Sequence, residues 1–310
     1  MTGTEPTYQP AYEPAYPPPG QPPAPRRSAT GRVLLVVGVV LGLVVVLWVA
    51  LFLVDLAMAR TTTTHESYPA AGTVELVADA DVTVAVAEGD VEVERVAHSG
   101  LTGPTYRAQE SADRLVVTHE CVRWLWVASR CGGGLDVTLP ADTQVVVRSS
   151  NGDVRASGVA GDVELASSNG AVEATGIGGR LDVTSSNGDV VVSGAGGDVD
   201  VRSSNGAVEV TDVGGTLDAG SSNGDVRADG VAGSVVAISS NGTVDVVGAG
   251  GDVRAESSNG EVTVIGDGEP VNLLIDTSNG SQTIEGPTDP ASSRTVDIRS
   301  SNGDVSYLVR

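Results

Sequence analysis

Nine copies of one tetrapeptide organise most of this chain. Ser-Ser-Asn-Gly, once written Thr-Ser-Asn-Gly, places asparagines at Asn151, Asn169, Asn187, Asn205, Asn223, Asn241, Asn259, Asn279 and Asn302. The first seven stand 18 residues apart, and the last two gaps stretch to 20 and 23. A fixed period of this length marks a stack of like units, each too small to bury its own apolar face. Such a repeat specifies shape more directly than chemistry.

Aligned on the asparagine, the units carry apolar columns. Three residues on comes Val154 and its equivalents to Val262; five on, Ala156 to Val264; twelve on, Val163 to Val271; fourteen on, Leu165 to Leu273. A weaker eighth column runs from Val159 to Asp267. Spacing by two within each pair predicts short strands with alternate side chains inward. Asn-Gly at one bend and pairs such as Gly178-Gly179 and Gly196-Gly197 at the other are expected to supply positive φ angles. Two strands and two corners in 18 residues make one coil of an all-β, single-chain parallel β-solenoid of right-handed β-helix type, whose hand the sequence leaves open. Seven strict coils rise roughly 30 Å.

In that stack the asparagines form a ladder passing side-chain hydrogen bonds from coil to coil. Asn151, Asn169, Asn187, Asn205, Asn223, Asn241 and Asn259 are therefore both the structural ladder and a candidate binding face. The polar columns fit stacking in register. Asp153, Ala171, Asp189, Ala207 and Asp225 alternate, which keeps carboxylates from meeting at about 5 Å. Arg155 is set to face Glu173, and Arg227 to face Glu209 and Asp245.

Upstream lie four different regions. Residues 1–32 are Pro-rich, with Tyr8, Tyr12 and Tyr16 in a regular rhythm, and read as a disordered cytoplasmic tail or a docking peptide for a Pro-binding module. Residues 33–54 are free of charge and long enough for one transmembrane helix. Arg26, Arg27 and Arg32 before it put the N-terminus in the cytoplasm and all that follows outside the cell. The rival is a signal sequence cleaved after Ala57-Met58-Ala59. Residues 55–72 read as a linker, Thr61 to Gly72 being a polar tether. The solenoid then occupies 73–310, as degenerate coils and a cap over 73–147 and regular repeats over 148–310.

Cys121 and Cys131 are the only cysteines, and outside the cytoplasm their simplest role is a disulfide. Trp124 and Trp126 inside that loop share one strand face, as a cap over the first coil or as a sugar-stacking platform. The full chain carries 18 arginines and no lysine against 40 acids, and a net charge of −22 repels nucleic acid. Carboxylates such as Asp162, Asp198 and Asp252 belong to the repeat rather than to a unique catalytic neighbourhood. His65, His98 and His119 all precede the regular stack, and no serine elbow or phosphate loop is present. No enzyme activity, cofactor or metal is expected. A calcium β-roll remains an alternative, but Gly196-Gly197-Asp198 and Gly250-Gly251-Asp252 lack its third glycine.

The stretch Leu139-Pro140-Ala141-Asp142-Thr143 leading into Val145-Val146-Val147-Arg148-Ser149-Ser150-Asn151-Gly152-Asp153-Val154, followed by further Asn-Gly-x-Val units, resembles a bacterial adhesin-type family with β-strand repeats, a domain of unknown function. The resemblance covers roughly Gly72 to Arg310. It implies a solenoid attached to the envelope of Gram-positive (actinobacterial-type) cells, no catalytic residues, and for some relatives a link to envelope-stress sensing. The resulting expectation is a non-enzymatic, membrane-anchored extracellular module that binds an unidentified envelope glycan or protein. An envelope-stress component is the alternative, with a carbohydrate-active β-helix enzyme as the third.

Overall fold

The computed structural model describes residues 29–101, 103–121 and 132–310, with side chains from Val33 onward. The chain divides into two compact units, Met1–Ala50 and Leu51–Arg310. Most of the expected tail, residues 1–28, lies outside the described residues.

The helix α1 spans Ala29–Met58, longer at both ends than the charge-free run implied. Every side chain from Val33 to Ala50 is exposed. Valine-rich sequence is a poor helix former in water, yet in lipid the backbone has no other donors or acceptors, and a helix satisfies each group internally. Val33–Met58, at mean hydropathy 3.2, is long and apolar enough to cross a membrane, as an anchor or as a signal sequence.

The second unit is almost wholly strand. Its N-terminal part holds β1 (Arg60–Tyr68), β2 (Thr73–Ala78), β3 (Asp81–Val86), β4 (Val91–Ser99), β5 (Thr105–Ser111), β6 (Arg114–Glu120), β7 (Gly132–Leu139), β8 (Gln144–Ser149) and β9 (Val154–Ser157). Six further strand pairs run from β10 (Val163–Ser167) to β21 (Val262–Gly266). The chain closes with β22 (Asn272–Thr277), β23 (Gln282–Ile284), β24 (Thr295–Ser300) and β25 (Val305–Val309). Within the repeats each strand pairs in parallel with its equivalent one period on, as Val163↔Leu181 and Val190↔Val208. The two strands of each coil thus build two facing sheets, of 13 and 12 strands.

At both ends the coils depart from sequence order. One sheet runs β1-β4-β7-β3-β9 and ends β21-β25-β23; the other runs β5-β6-β2-β8-β10 and ends β20 (Val253–Ser257), β24, β22. The first coil, β2 with β3, therefore lies between the β6–β7 coil and the β8–β9 coil. The last coil, β24 with β25, lies between β20–β21 and β22–β23. The 20- and 23-residue gaps mark this arrangement: the chain first lays down the outermost coil and then backfills the layer beneath it. Strand β25 consequently has a partner on each side, and the C-terminal strand is not a sheet edge.

Three expectations are corrected. Arg60–Tyr68, read as part of a tether, forms β1 and pairs antiparallel with β4 from Arg60↔Ser99 to Tyr68↔Val91; its four threonines are good strand formers. Val271 and Leu273 are not the twelfth and fourteenth columns of their coil. The two extra residues shift Leu273 and Ile275 into those rows, opposite Val296 and Ile298, while Val271 is buried beside Thr288. Finally, positive φ falls neither on the Asn-Gly glycines nor on the Gly-Gly pairs. In the regular coils it falls on Gly158, Gly176, Gly194, Gly230 and Gly248, and on Asp212 at φ 57° in the same column; Gly89 and Gly268 carry it outside that column.

The Asn-Gly glycine is needed for a different reason, close approach. A Cβ at Gly206 would lie 2.1 Å from the Gly188 carbonyl oxygen, and its equivalents in the other regular coils meet the same obstacle. The core between the sheets is aliphatic, with the eighth column buried from Val159 to Ala249. Asp267 breaks that column and turns outward to Arg294. Near that break the Tyr307 ring, the largest fully buried side chain among the described residues, lies against Gly266 and Gly286. Fully burying each such aliphatic side chain stabilises by about 1.5–3 kcal/mol.

Two glycine substitutions should separate close approach from strand propensity. Gly206→Ala should destabilise by several kcal/mol, on the order of the most severe point mutations, because backbone blocks its Cβ. At Gly220 the nearest atoms to a Cβ are 3.5 Å away, so Gly220→Ala should be neutral or stabilise by about 0.5–1 kcal/mol. Urea midpoints of the two variants measure this directly.

Candidate functional site

The repeated tetrapeptide forms one corner of every regular coil, and all four of its residues take part in the stack. The Ser167 hydroxyl accepts from the Gly170 N–H at 3.0 Å and donates to the Gly152 carbonyl of the preceding coil at 3.1 Å. Asn187 Nδ2 donates to Ser168 O at 3.0 Å and to Asn169 Oδ1 at 2.9 Å. Glycine follows because no Cβ fits. The second serine, as at Ser168 and Ser204, is exposed and joins the corner through its main chain, its carbonyl accepting the asparagine amide of the next coil.

The side-chain ladder runs unbroken from Asn151 through Asn169, Asn187, Asn205, Asn223, Asn241 and Asn259, and then continues through Asn302 to Asn279. All nine side chains lie exposed along one edge, but their amides are largely spent on one another.

The alternating acids have a function that charge spacing alone did not reveal. Asp153, Asp189 and Asp225 each accept the backbone N–H of the next coil, from Ala171, Ala207 and Thr243, at 2.8–3.0 Å. Asp162, Asp198 and Asp252 do the same at the other corner for Arg180, Thr216 and Thr295. These bonds hold the Asp198 carboxyl below its ordinary pKa, the Thr216 N–H being the largest cause. Arg155 stands opposite Glu173 as expected, 3.4 Å away.

A second acidic column escaped the sequence reading. Thirteen residues after the asparagine, Glu164, Asp182, Asp200 and Asp218 stand in four successive coils on the outer face of the 12-stranded sheet. Arg148 joins Glu75 and Glu164 at 2.8 and 2.7 Å, and Arg202 joins Asp200 and Asp218 at 3.0 and 2.8 Å. Asp182 stands between these arginine-held pairs, and its pKa is raised first by desolvation and then by Asp200 and Glu164. The signal was present as an unbroken acidic column, in contrast to the alternating one.

The N-terminal end has different chemistry. Antiparallel β1, β4 and β7 bring His65, Glu94 and Asp136 onto one rung and Ser67, Glu92 and Thr138 onto the next. They line an open depression of about 500 Å³. Glu66 at its rim pairs with Arg95 and accepts from Tyr68. The Arg95 guanidinium lies 4.9 Å from the Tyr106 ring centre, and the Tyr106 ring lies 4.7 Å from that of His119. His119 is fully buried in the row that holds Ala78 and Ser149 in the following coils, and neither ring nitrogen has a hydrogen-bond partner among the described residues. Burial lowers its pKa, against a smaller opposing effect of Asp79. Among the described residues no group of three or more His, Cys, Asp or Glu is placed to hold a metal ion. The Cys121 N–H donates to Asp79 Oδ2 at 2.9 Å. Cys131, Trp124 and Trp126 lie outside the described residues, and with them the expected bridge and cap.

Two facing, mostly parallel sheets wound from short repeats define a β-solenoid. The chain belongs to the Toastrack DUF4097 family, whose model matches residues 62–306. Similar solved structures include a Bacteroides fragilis protein described as a putative adhesin, at 12% identity over 80% of this chain and 97% of that one, TM-score 0.36. A Parabacteroides distasonis protein described as a putative lipid binding protein is 11% identical over 80% and 97%, TM-score 0.45. A Clostridium sporogenes cell adhesion protein, also described as putative, is 11% identical over 81% and 100%, TM-score 0.21. No curated protein matches the chain.

Two titrations follow. The folded pKa of His119 lies below its ordinary 6.5, so its contribution to stability is present above that value and is lost as pH falls below it. Urea midpoints should drop from about pH 7.5 to about pH 5.5 by more in the parent than in His119→Phe, the pH limits being about one unit either side of the free imidazole. Asp182 has the opposite sign: raised above 3.8, it stabilises in its protonated form, and that contribution is lost as pH rises through the folded pKa. Asp182→Asn should therefore raise the urea midpoint at neutral pH and leave it unchanged in acid.

Proposed function

We propose that this Toastrack protein is a non-enzymatic display module: α1 anchors it in the membrane, and the solenoid stands outside the cell and binds envelope glycan or protein through its repeating outer faces. The observation that carries this reading is the pair of sheets, of 13 and 12 strands, whose outward side chains recur at coil spacing. Ligands with their own repeats can meet many weak, identical contacts on such a surface and gain avidity from their number. The outward rows mix arginine, carboxylate, serine and threonine, a chemistry suited to hydrogen-bonded polar polymers. Net negative charge disfavours nucleic acid and bare anionic lipid. In this reading Cys121 and Cys131 form a disulfide that ties down the N-terminal loop.

The test uses coil number as its variable. Deleting residues 187–222 removes two whole periods, rejoins Ser186 to Asn223 within an intact tetrapeptide, and preserves the Asp/Ala alternation. Retention of the Leu51–Arg310 unit on cell-envelope fractions and glycan arrays should fall in the shortened protein while its circular dichroism stays β-rich. Binding unchanged by coil number, or no retention by any envelope fraction, contradicts the proposal.

A further inference from the structure

The asparagine ladder is polar, and its two ends are chemically unlike. Each Nδ2 donates toward the N-terminal side of the stack, so the first rung, Asn151, accepts a bond from Asn169 at 3.1 Å, while no bond leaves its own amide nitrogen among the described residues. The last rung, Asn279, is the reverse: its Nδ2 donates to Ser301 O at 3.3 Å and to Asn302 Oδ1 at 2.9 Å, while its Oδ1 receives nothing from the ladder. The seven rungs between them are held at both atoms, as Asn205 is by Asn187, Ser186 and Asn223. All nine asparagines precede glycine, the neighbour that least hinders attack of the backbone nitrogen on the side-chain amide.

We propose that Asn151 is a site of spontaneous deamidation, selected from nine Asn-Gly pairs by its position at the end of the ladder. The Gly152 backbone nitrogen gives its proton to solvent and attacks Asn151 Cγ. The new C–N bond closes a five-membered ring, and negative charge gathers on Oδ1. The Asn169 Nδ2–H already points at that oxygen and stabilises the charge as it forms. The Cγ–Nδ2 bond then breaks, and the nitrogen takes a proton from water and leaves as ammonia. Water opens the succinimide to aspartate or isoaspartate, with no change of oxidation state. At every other rung the leaving nitrogen must first surrender its hydrogen bonds to a serine carbonyl and an asparagine oxygen. The Gly152 N–H is held by Ser149 Oγ at 3.1 Å, but the other eight glycines share that restraint, so it does not discriminate.

The position matters because Asn151 sits where the regular stack meets the out-of-order coil formed by β2 and β3. Ser149 Oγ donates to Ala80 O at 2.9 Å, and the Asp153 N–H donates to Asp81 Oδ1 at 2.9 Å. Gly152 lies so close to this coil that a Cβ would fall 2.0 Å from the Ala80 carbonyl carbon. Isoaspartate lengthens the main chain by one methylene at that corner, which displaces it from Ala80 and Asp81. Deamidation thereby loosens the N-terminal coil from the stack.

The experiment ages the full chain in detergent micelles in warm, mildly alkaline buffer and follows all nine Asn-Gly pairs by peptide mass spectrometry. Asn151 should convert at least about tenfold faster than any other, the rate equivalent of releasing two neutral hydrogen bonds. In denaturant the nine rates should converge. Asn169→Ala, which removes the donor to Oδ1, should slow Asn151 in the folded protein, and amide exchange in β2 and β3 should rise with the isoaspartate fraction. Equal rates in the folded chain, a lead by Asn279, or a lead by Asn151 that persists in denaturant overturns the proposal. Unchanged exchange in β2 and β3 overturns the loosening.

Discussion

The structure depends on the hydrogen-bonded corner repeated at every coil. A solenoid coil of 18 residues has too little apolar surface to fold alone, so each layer exists only if the next lies on it in register. The serine hydroxyl and the asparagine amide both fix the corner to the layer beneath, and the glycine allows the two backbones to approach. A register slip of one residue would turn valines outward and break all three contacts together. This coupling explains why the tetrapeptide varies so little while the neighbouring strand positions exchange valine, alanine, leucine and isoleucine.

A chain with a net charge of −22 must also avoid self-repulsion along a stack whose layers are about 4.8 Å apart. The corner aspartates solve this locally: each occupies one layer and receives an N–H from the next, so the charge binds the stack together. The thirteenth column uses another device: Arg148 joins Glu164 to Glu75 and Arg202 joins Asp200 to Asp218, with Asp182 standing between the two pairs. These exposed pairs contribute little energy each, and their value lies in fixing which layer meets which.

Much of this architecture was legible in the sequence. Apolar spacing by two gave the strands, the 18-residue period gave the coil, and the ladder followed from stacking identical asparagines. The layer order at the ends was not legible, because gaps of 20 and 23 residues fit an extended corner as well as a backfilled coil. Only pairing distinguishes Asn302 beside Asn259 from Asn302 at the terminus. Glycine roles were misread because positive φ and close approach select the same residue. The N-terminal strand β1 was hidden in a threonine run that reads equally as polar linker. The ladder was visible as a candidate site, but its amides turned out to be occupied by one another, which moves the available chemistry to the outer sheet faces and the outward serines.

Layer order at the C-terminal end is the most direct test, since the ladder and the strand pairing both require Asn302 to lie between Asn259 and Asn279. Ser258, Ser278 and Ser301 are the outward serines of three terminal coils. Spin labels placed on them in pairs report distance through dipolar coupling. The account predicts that Ser258 and Ser301, and likewise Ser301 and Ser278, sit one layer apart at about 5 Å between backbones, with Ser258 and Ser278 two layers apart at about 10 Å. A Ser258 to Ser278 separation shorter than that of Ser258 to Ser301 would mean that the coils follow sequence order, and would contradict the ladder as described.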